Sequence, residues 1–273
     1  MDTVGVSILT NGQRLEHLQA CVYSLLSHCY YRPLKIGIFD NGSTDGTHSW
    51  CMNQLPKVYG VEFKIQRVEQ DMGCAAGQNR AAGLVRDCKY VLHLESDFRA
   101  LPENLSGCDK FWLHRAIEFM DSGECDFLYL RRMMSEYDIG QHWWSQWFNK
   151  IGRVQGPYME CPDFWWSNNP HLRNNQAIYD AGCLPLDEKK DGGKGTGNWS
   201  RPEMTTAKPR KPWIHKWGIF VHDAMPNLGL EQLTGCGKCK YGFFMVPDSP
   251  FCKKCDLLLD YTDMHAHYER FIG

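Results

Sequence analysis

The sequence predicts an α/β protein with a mixed, mainly parallel sheet that is flanked by helices. Over the first half of the chain, short apolar runs that suit buried strands alternate with segments of helical periodicity. Parallel neighbours need a crossover of about a dozen or more residues, which the helical segments supply. Two of the apolar runs end in acidic residues. In an open α/β sheet, ligands bind outside the carboxyl ends of the strands, so these residues suit a binding site. A cysteine-rich segment near the C-terminus predicts a small additional module.

The elements follow one another in the order that such a sheet requires. Residues 4–9 form an apolar first strand, and residues 14–29 carry apolar side chains at helical spacing on one face. Pro33 then breaks the chain before the second strand. The remaining strands are predicted at residues 34–39, 61–65, 90–94, 126–130 and 216–222, and the remaining helices at residues 75–87 and 109–121. Residues 187–197 are rich in glycine and charge and cannot bury a core, so we expect a loop there.

The composition is that of a soluble globular protein. The chain has 273 residues, of which 43% are hydrophobic and 23% charged, and its net charge is −2. This near-neutral balance gives no overall attraction to nucleic acid or to an anionic membrane. No apolar run approaches the roughly 18 residues that a membrane span needs, and the N-terminus lacks the basic start of a signal peptide. Thirteen cysteines, an odd number, indicate a reducing compartment, so we expect a cytoplasmic protein.

The stretch at residues 39–47, FDNGSTDGT, is the most informative part of the chain. It places the Asp40 carboxylate at the end of a buried strand, followed by a turn whose N–H and hydroxyl groups suit a polar ligand. A later strand ends in Glu95, Ser96 and Asp97, and two acidic groups one residue apart suit Mg²⁺ or Mn²⁺ that carries a diphosphate. Taken singly, the first stretch also fits an ordinary turn, and the second also fits a solvated loop.

The order and spacing of these segments, with a glycine-rich helix start at residues 73–83 between them, resemble one half of a known fold. This is the nucleotide-sugar-binding half of GT-A glycosyltransferases of the family-2 type, and the resemblance is clear over residues 3–100. It implies transfer of a sugar from a nucleotide-sugar donor, with a UDP-sugar expected first, to an acceptor hydroxyl. It also implies a Mn²⁺ or Mg²⁺ ion at the diphosphate and an inverting reaction with a carboxylate base.

The resemblance assigns roles to individual side chains. The residues expected to contact the donor are Thr10, Asp40, Asn41, Asp71, Gly73, Asn79, Glu95 and Ser96. Asp97 is expected to bind the catalytic metal ion directly, with His222 at a strand end as a further ligand. Glu95 departs from the aspartate that is usual at its position, although a longer side chain can still reach ribose or a metal-bound water. The residues expected on the acceptor side are Trp166, Asn168 and Asn169.

The catalytic base is expected beyond these segments. Glu203 is the first candidate, because it follows the predicted loop and precedes the last strand, and the pair of Asp187 and Glu188 is the alternative. The Glu-Asp dyad typical of the family is absent, so a solvated loop glutamate is an equally good interpretation of Glu203. A concentration of tryptophans over residues 143–166 suits either a sugar-binding cleft or the packing of the acceptor side.

Four of the cysteines form a motif near the C-terminus. They are the two C-x-x-C pairs Cys236 with Cys239 and Cys252 with Cys255, which twelve residues separate. Four thiolates at this spacing predict a structural Zn²⁺ ribbon, with two disulfides as the less favoured alternative. We therefore expect a GT-A domain over residues 1–232, with a donor half at 1–100 and an acceptor half at 101–232, and a zinc module over residues 233–273.

Three functions stay open from the sequence. In the first, the acceptor is a carbohydrate, a lipid-linked sugar or another small molecule, and in the second it is a modified nucleic acid base, such as hydroxymethylated DNA. The zinc ribbon and the basic, aromatic residues at 199–217 favour the nucleic acid, whereas the near-neutral charge opposes it. In the third, the chain is a non-catalytic binding module, which the missing dyad allows and the intact Asp40 and Asp97 oppose.

Overall fold

The computed structural model describes residues 1–103, 108–131, 152–162, 169–176, 211–215 and 218–222, together with the backbone of 251–252 and 257–258. The elements of the first hundred residues are β1 (Val4–Asn11), α1 (Leu15–His28), β2 (Leu34–Asn41), α2 (Thr47–Asn53), β3 (Val61–Val68), α3 (Cys74–Gly83), β4 (Tyr90–Glu95) and β5 (Phe98–Ala100). They are followed by α4 (Trp112–Asp121), β6 (Phe127–Tyr129), β7 (Val154–Gln155), β8 (Tyr158–Glu160), β9 (His171–Asn174), β10 (Pro212–His215), β11 (Phe220–His222), β12 (Phe251–Cys252) and β13 (Leu257–Leu258).

A nine-stranded sheet with the order β3-β2-β1-β4-β9-β6-β10-β8-β7 forms the centre of the described part of the chain. β3, β2, β1 and β4 run parallel to one another, β9 runs antiparallel between β4 and β6, and β10 is parallel to β6. β8 and β7 complete the far edge with antiparallel pairings. A smaller sheet pairs β5 with β11, and β12 pairs with β13. The prediction of a mixed, mainly parallel sheet flanked by helices is thereby confirmed.

The strand order creates a topological switch point between β1 and β4. The chain moves from β1 through β2 to β3 on one side of β1, and β4 then lies on its other side. Such a reversal leaves a crevice outside the carboxyl ends of the strands, where ligands bind in open α/β sheets. The register aligns Thr10 with Asp40 and Leu9 with Glu95, so the ends of β1, β2 and β4 meet at this edge.

The helices form where apolar residues share one face. The buried residues of α1 are Leu18, Cys21, Val22 and Leu25, at the spacing that the sequence predicts. The sequence does not predict α2, because seven residues are too few to show a helical period. That helix is held by the burial of Thr47, Trp50 and Cys51.

Close contacts with glycine fix α3 and the turn after it against the sheet. A Cβ atom at Gly37 in β2 would lie 2.7 Å from the Cβ of Leu84, and one at Gly77 in α3 would lie 2.8 Å from a methyl carbon of Leu9. Only a residue without a side chain allows backbone and neighbour to approach this closely. The start of α3 is therefore held beside the strand ends at the switch point.

The strand β10 is not predicted by the sequence. It lies between β6 and β8, and its Trp213 is fully buried. Pro212 is the reason, because proline in an apolar run argues against predicting a central strand there. Here Pro212 is the first residue of the strand, and its carbonyl accepts the Cys161 N–H at 2.9 Å. Of the strand predicted at residues 216–222, the described residues show Phe220–His222 as β11.

The loop predicted at residues 187–197 and most of the zinc module at 233–273 lie outside the described residues, so both stay predictions, as does the division into domains. Most of the cysteines that the structure describes are buried as small hydrophobic side chains. No helix in the described ranges is long and apolar enough to cross a membrane.

Candidate functional site

The Asp40 carboxylate is fully buried at the end of β2. Its Oδ1 accepts the Ser43 N–H at 2.9 Å, which closes the turn after the strand. Its Oδ2 lies 3.7 Å from Nε of Arg67, the residue paired with Asp40 on β3, and accepts no hydrogen bond from the described residues. Nη2 of Arg67 also donates to the Ser43 carbonyl at 3.3 Å. The Arg67 guanidinium therefore balances the buried charge, while Oδ2 has no hydrogen-bond donor in the described part of the chain.

Two hydroxyl groups close to Asp40 are also buried without a hydrogen-bond partner among the described residues. Thr10, which pairs with Asp40 across β1 and β2, and Ser43 both have buried hydroxyl oxygens that make no hydrogen bond within the described part of the chain. Buried polar atoms are nearly always paired, because an unpaired one costs about 1–3 kcal/mol. Three such atoms around one strand end indicate a place where a polar ligand completes the hydrogen bonding.

A hydrogen-bonded latch joins the end of β2 to the start of α3. Asn41 Nδ2 donates to Oδ1 of Asp71 at 2.6 Å and to the Gly73 carbonyl at 3.2 Å, and Asn41 Oδ1 accepts the Met72 N–H at 3.0 Å. Gly42 permits this approach, because its φ is +81° and a Cβ there would lie 2.7 Å from the Asp71 nitrogen. Asn41, Asp71 and Gly73 thus hold one another beside Asp40, and their predicted contact with the donor stays a prediction.

Glu95 lies where β4 ends, and it contacts α3. Gln78 is buried and donates from Nε2 to Oε1 of Glu95 at 3.3 Å. The next residue, Ser96, donates its N–H to the Leu9 carbonyl at 3.0 Å, which carries the chain across the end of β1. Asn79 follows Gln78 on α3 and is half-buried. These contacts orient the Glu95 carboxylate at the switch point, next to the end of β1.

Asp97 is nearly buried, and two nitrogen-bearing side chains lie at one of its oxygens. Arg14 donates from Nη1 to Asp97 Oδ2 at 2.6 Å, and Nε2 of His222 lies 3.5 Å from the same oxygen. Asp97 Oδ1 is buried and accepts no hydrogen bond from any described residue. The ring of His222 packs edge-on against Phe98, its partner in the β5–β11 pairing, with 4.8 Å between centroids. This small sheet therefore brings the two predicted metal ligands together.

Arg131 also lies near the Phe98 ring, and it contacts Asn169. The Arg131 guanidinium carbon is 5.9 Å from the Phe98 ring centroid, and its Nη1 donates to Oδ1 of Asn169 at 2.7 Å. Nδ1 of His171 is 2.8 Å from the Asn169 carbonyl oxygen. Asn169 is thus connected through Arg131 to the ring that supports His222, and its predicted contact with the acceptor stays a prediction.

The chemistry around Asp97 fits a hard divalent cation. The carboxylate offers oxygens, one of them without a hydrogen bond among the described residues, and His222 offers a nitrogen at the same group. Mg²⁺ and Mn²⁺ accept such donors and commonly take their other ligands from water and substrate phosphates. In the described ranges, no group of three or more His, Cys, Asp or Glu side chains could hold a metal ion.

The other predicted site residues lie outside the described residues. They are Glu203, Asp187, Glu188, Trp166, Asn168, Cys236, Cys239 and Cys255, as well as the side chain of Cys252. The structure also adds Arg14 and Arg67, which sequence reasoning missed. Each contacts a carboxylate that is distant in sequence. The register of β2 and β3 pairs Arg67 with Asp40, so a correct alignment of these two strands could have predicted that contact.

The sequence profile of Glycosyl transferase family 2 matches residues 8–183, which is well over half of the chain. The chain belongs to glycosyl transferase family 2. This result confirms the family that residues 3–100 resemble and extends the match into the second half of the chain. No curated protein matches the sequence.

Solved structures of other glycosyltransferases share the fold of this family 2 member. A fragment of S. aureus TarS, residues 1–349, has a TM-score of 0.53 and 15% identity, over 81% of this chain and 60% of that chain. GalNAc-T7, solved with UDP, GalNAc and Mn²⁺, has a TM-score of 0.54 and 11% identity, over 81% of this chain and 44% of that chain. The chain thus spans less than two thirds of the length of either protein, and identities this low show the GT-A fold alone.

Proposed function

We propose that this family 2 member transfers a sugar from a nucleotide-sugar, with UDP-sugars as the first class to test, to an acceptor hydroxyl, assisted by a divalent metal ion at Asp97. The observation that carries the proposal is a set of buried polar atoms along one sheet edge, at Thr10, Asp40 and Asp97, that make no hydrogen bond with any described residue. Two neighbours in fold support the donor class. TarS has been solved with UDP-GlcNAc, and GalNAc-T7 with UDP, GalNAc and Mn²⁺.

The Asp40 end of the site suits the nucleoside. The Oδ2 atom of Asp40, which accepts no hydrogen bond from the described residues, can accept an N–H such as N3–H of uracil. The guanidinium of Arg67 offers N–H groups to a neighbouring carbonyl of the base. The hydroxyls of Thr10 and Ser43 donate or accept according to the partner that arrives. This arrangement places a charged acceptor and a charged donor side by side, which is the pattern that a base edge with adjacent N–H and C=O groups requires.

The Asp97 end of the site suits the diphosphate. Asp97 and His222 would hold the metal ion, and a bound ion neutralises charge on the leaving diphosphate. Glu95, oriented by Gln78, lies at the end of β4 and suits the ribose or a water molecule on the ion. The acceptor oxygen forms a bond to the anomeric carbon while the bond from that carbon to the diphosphate breaks. A carboxylate takes the hydroxyl proton, with Glu203 as the candidate.

The first test measures nucleotide binding with and without Mn²⁺ through the shift in Tm that the ligand produces. A ligand at about 100 times its Kd adds roughly 2.7 kcal/mol to the free energy of unfolding, which is a readable rise in Tm. Asp97→Asn is expected to remove the Mn²⁺ dependence of UDP binding, because it removes a charged ligand from a site with few others. The matched control is Asp87→Asn, an exposed carboxylate paired with Lys35 near the opposite edge of the sheet. Mn²⁺-dependent UDP binding that is equal in wild type and Asp97→Asn would contradict the site.

The acceptor is proposed on the sequence alone. The basic, aromatic residues at 199–217 and the zinc module lie mostly outside the described residues, so a carbohydrate or small acceptor and a modified nucleic acid base stay separate predictions. Binding to hydroxymethylated and unmodified DNA at two salt concentrations separates them, because phosphate contacts make affinity fall with salt. Release of UDP from UDP-GlcNAc, measured with each acceptor class, separates both from a module that binds nucleotides without turnover.

A further inference from the structure

The contact between Arg14 and Asp97 has a consequence for how the site fills. Arg14 is the residue before α1, and its Nη1 lies 2.6 Å from Asp97 Oδ2. The side chain of Arg14 is 42% exposed, whereas that of Asp97 is only 6% exposed. A guanidinium from the surface therefore neutralises a carboxylate that the fold has buried.

Arg14 occupies the oxygen that a metal ion would use. An ion held by both Asp97 and His222 has to approach Oδ2, because that is the oxygen 3.5 Å from Nε2 of His222. A divalent ion sits about 2.0–2.2 Å from a carboxylate oxygen, so it would lie against the guanidinium, with like charges in contact. Metal binding and the Arg14–Asp97 hydrogen bond therefore compete for one atom.

The guanidinium is the partner that can leave. The backbone of Arg14 is fixed, because its carbonyl accepts the Leu18 N–H at 2.9 Å and the next residue, Leu15, donates its N–H to Oδ2 of Asp45 at 2.8 Å. Asp97 is fixed by burial between β4 and β5. Only the long, exposed side chain of Arg14 has freedom, and when displaced it stays tethered next to the site.

The anion that arrives with the metal ion is the donor diphosphate. A guanidinium binds phosphate oxygens with the same pair of parallel N–H groups that it uses to bind a carboxylate. We propose that Arg14 exchanges Asp97 for the donor diphosphate, so that the metal ion and the diphosphate bind with positive coupling. This proposal rests on the proposed function, because it takes the ligand to be a nucleoside diphosphate with a sugar. In this proposal, Arg14 pairs with Asp97 in the donor-free protein and contacts the diphosphate in the donor-bound protein.

The proposal predicts opposite effects of one substitution on two ligands. Arg14→Gln removes the competitor, so Mn²⁺ alone should bind about tenfold more tightly, within the usual range of a coupling between sites. The same variant loses a diphosphate contact, so UDP in the presence of Mn²⁺ should bind about tenfold more weakly. Uridine, which has no phosphate, should bind equally to the variant and to the wild type.

The experiment uses the full chain with four variants. Binding of Mn²⁺ without nucleotide is measured from the electron paramagnetic resonance signal of the free ion, and uridine and UDP are measured by calorimetry. Arg115→Gln is the matched control, because Arg115 makes a similar 2.7 Å pair with Asp109 elsewhere on the surface. Arg14→Lys keeps the charge without the fork, so its affinities for Mn²⁺ and UDP should lie between those of wild type and Arg14→Gln, and its affinity for uridine should equal both. Asp97→Asn shows which part of the Mn²⁺ binding belongs to this site.

Tighter Mn²⁺ and weaker UDP with unchanged uridine in Arg14→Gln support the exchange. The exchange is overturned if Mn²⁺ binds Arg14→Gln no more tightly than wild type, or if uridine weakens as much as UDP, since either result makes Arg14 merely structural. The two proposals fail separately. Wild type that binds neither uridine nor UDP refutes the donor site while the Mn²⁺ comparison still tests the competition, and normal UDP binding with unchanged Mn²⁺ affinity refutes only the exchange.

Discussion

One carboxylate fixes the start of two helices, and its removal is the sharpest test of how this fold holds its site. Asp45 Oδ2 accepts the N–H of Leu15, the first residue of α1, at 2.8 Å. Its Oδ1 accepts the N–H of Thr47, the first residue of α2, at 3.1 Å and the Thr47 hydroxyl at 2.6 Å. Within the described residues, neither helix has a side-chain cap from its own N-cap position. Asp45→Ala therefore leaves three donors without an acceptor.

The expected loss follows from these three contacts. Removing an N-cap acceptor costs about 1 kcal/mol for each helix, and a buried hydroxyl left without a partner costs about 1–3 kcal/mol. Thr47 is fully buried, so Asp45→Ala should lower the free energy of unfolding by about 3–5 kcal/mol in total. The assay is urea unfolding at pH 7, read as a lower midpoint with an unchanged slope. Asp45→Asn keeps one acceptor oxygen and should lose about half as much.

The control and the pH dependence test the reasoning. Asp87→Ala removes an exposed carboxylate that pairs with Lys35, and such surface pairs are worth under about 1 kcal/mol. Burial raises the pKa of Asp45, but the hydrogen bonds from Thr47 and Leu15 outweigh it and hold the pKa below its usual range. The contribution of Asp45 is therefore present above the unfolded-state pKa near 4 and is lost as the pH falls through the folded-state value. A loss no larger than that of Asp87→Ala, or one that does not shrink as the pH falls below about 4, would refute the reasoning.

Three further outcomes are expected. Asp40→Asn should weaken uridine binding about 10- to 100-fold in calorimetry, because a hydrogen bond to a charged group is worth about 1.5–3 kcal/mol, and unchanged affinity would remove Asp40 from the nucleoside site. Burial lowers the pKa of His215 to about 3, so the free energy of unfolding should fall as the pH drops below about 6.5, by up to about 1.4 kcal/mol per unit, and His215→Gln should flatten this slope in urea titrations. Gly37→Ala should lower the free energy of unfolding by about 1–3 kcal/mol, because the added Cβ would lie 2.7 Å from Leu84. Gly83→Ala, which has open space around it, should raise the free energy of unfolding by up to about 1 kcal/mol. Equal Tm values for the two variants would contradict the packing of α3.

The strands of the donor half were predictable because they are continuous apolar runs. β1, β2 and β4 begin where the sequence places them and extend one or two residues further, into the polar residues that form the site. Local patterns could not reveal α2 or β10. One is too short for a period, and the other begins at Pro212 and gains its burial from β6 and β8, which are distant in sequence.

The candidate site was predictable only where a residue's role depends on its own strand. Asp40 directly follows one apolar run and Asp97 lies three residues after the end of another, so their place at the carboxyl edge could be inferred from the sheet alone. The partners of these carboxylates could not be inferred. Arg67 meets Asp40 through the β2–β3 register, and Arg14 meets Asp97 across 83 positions of sequence. Long cationic side chains reach in many directions, so their sequence position alone does not identify the anion that they contact.

The two ends of the site differ in how their charge is balanced, and the difference has a functional meaning. Asp40 is paired with Arg67, whose side chain is 29% exposed, and is surrounded by buried hydroxyls on fixed strand ends. Asp97 is paired with an arginine that is 42% exposed and comes from a loop. A rigid, buried end suits selection of one base, because a wrong base leaves buried groups unpaired. An exposed cation suits a diphosphate and a metal ion, which in the proposed reaction enter and leave in each cycle. Salt should therefore weaken UDP binding while it leaves uridine binding nearly unchanged, because screening acts most strongly on exposed charges.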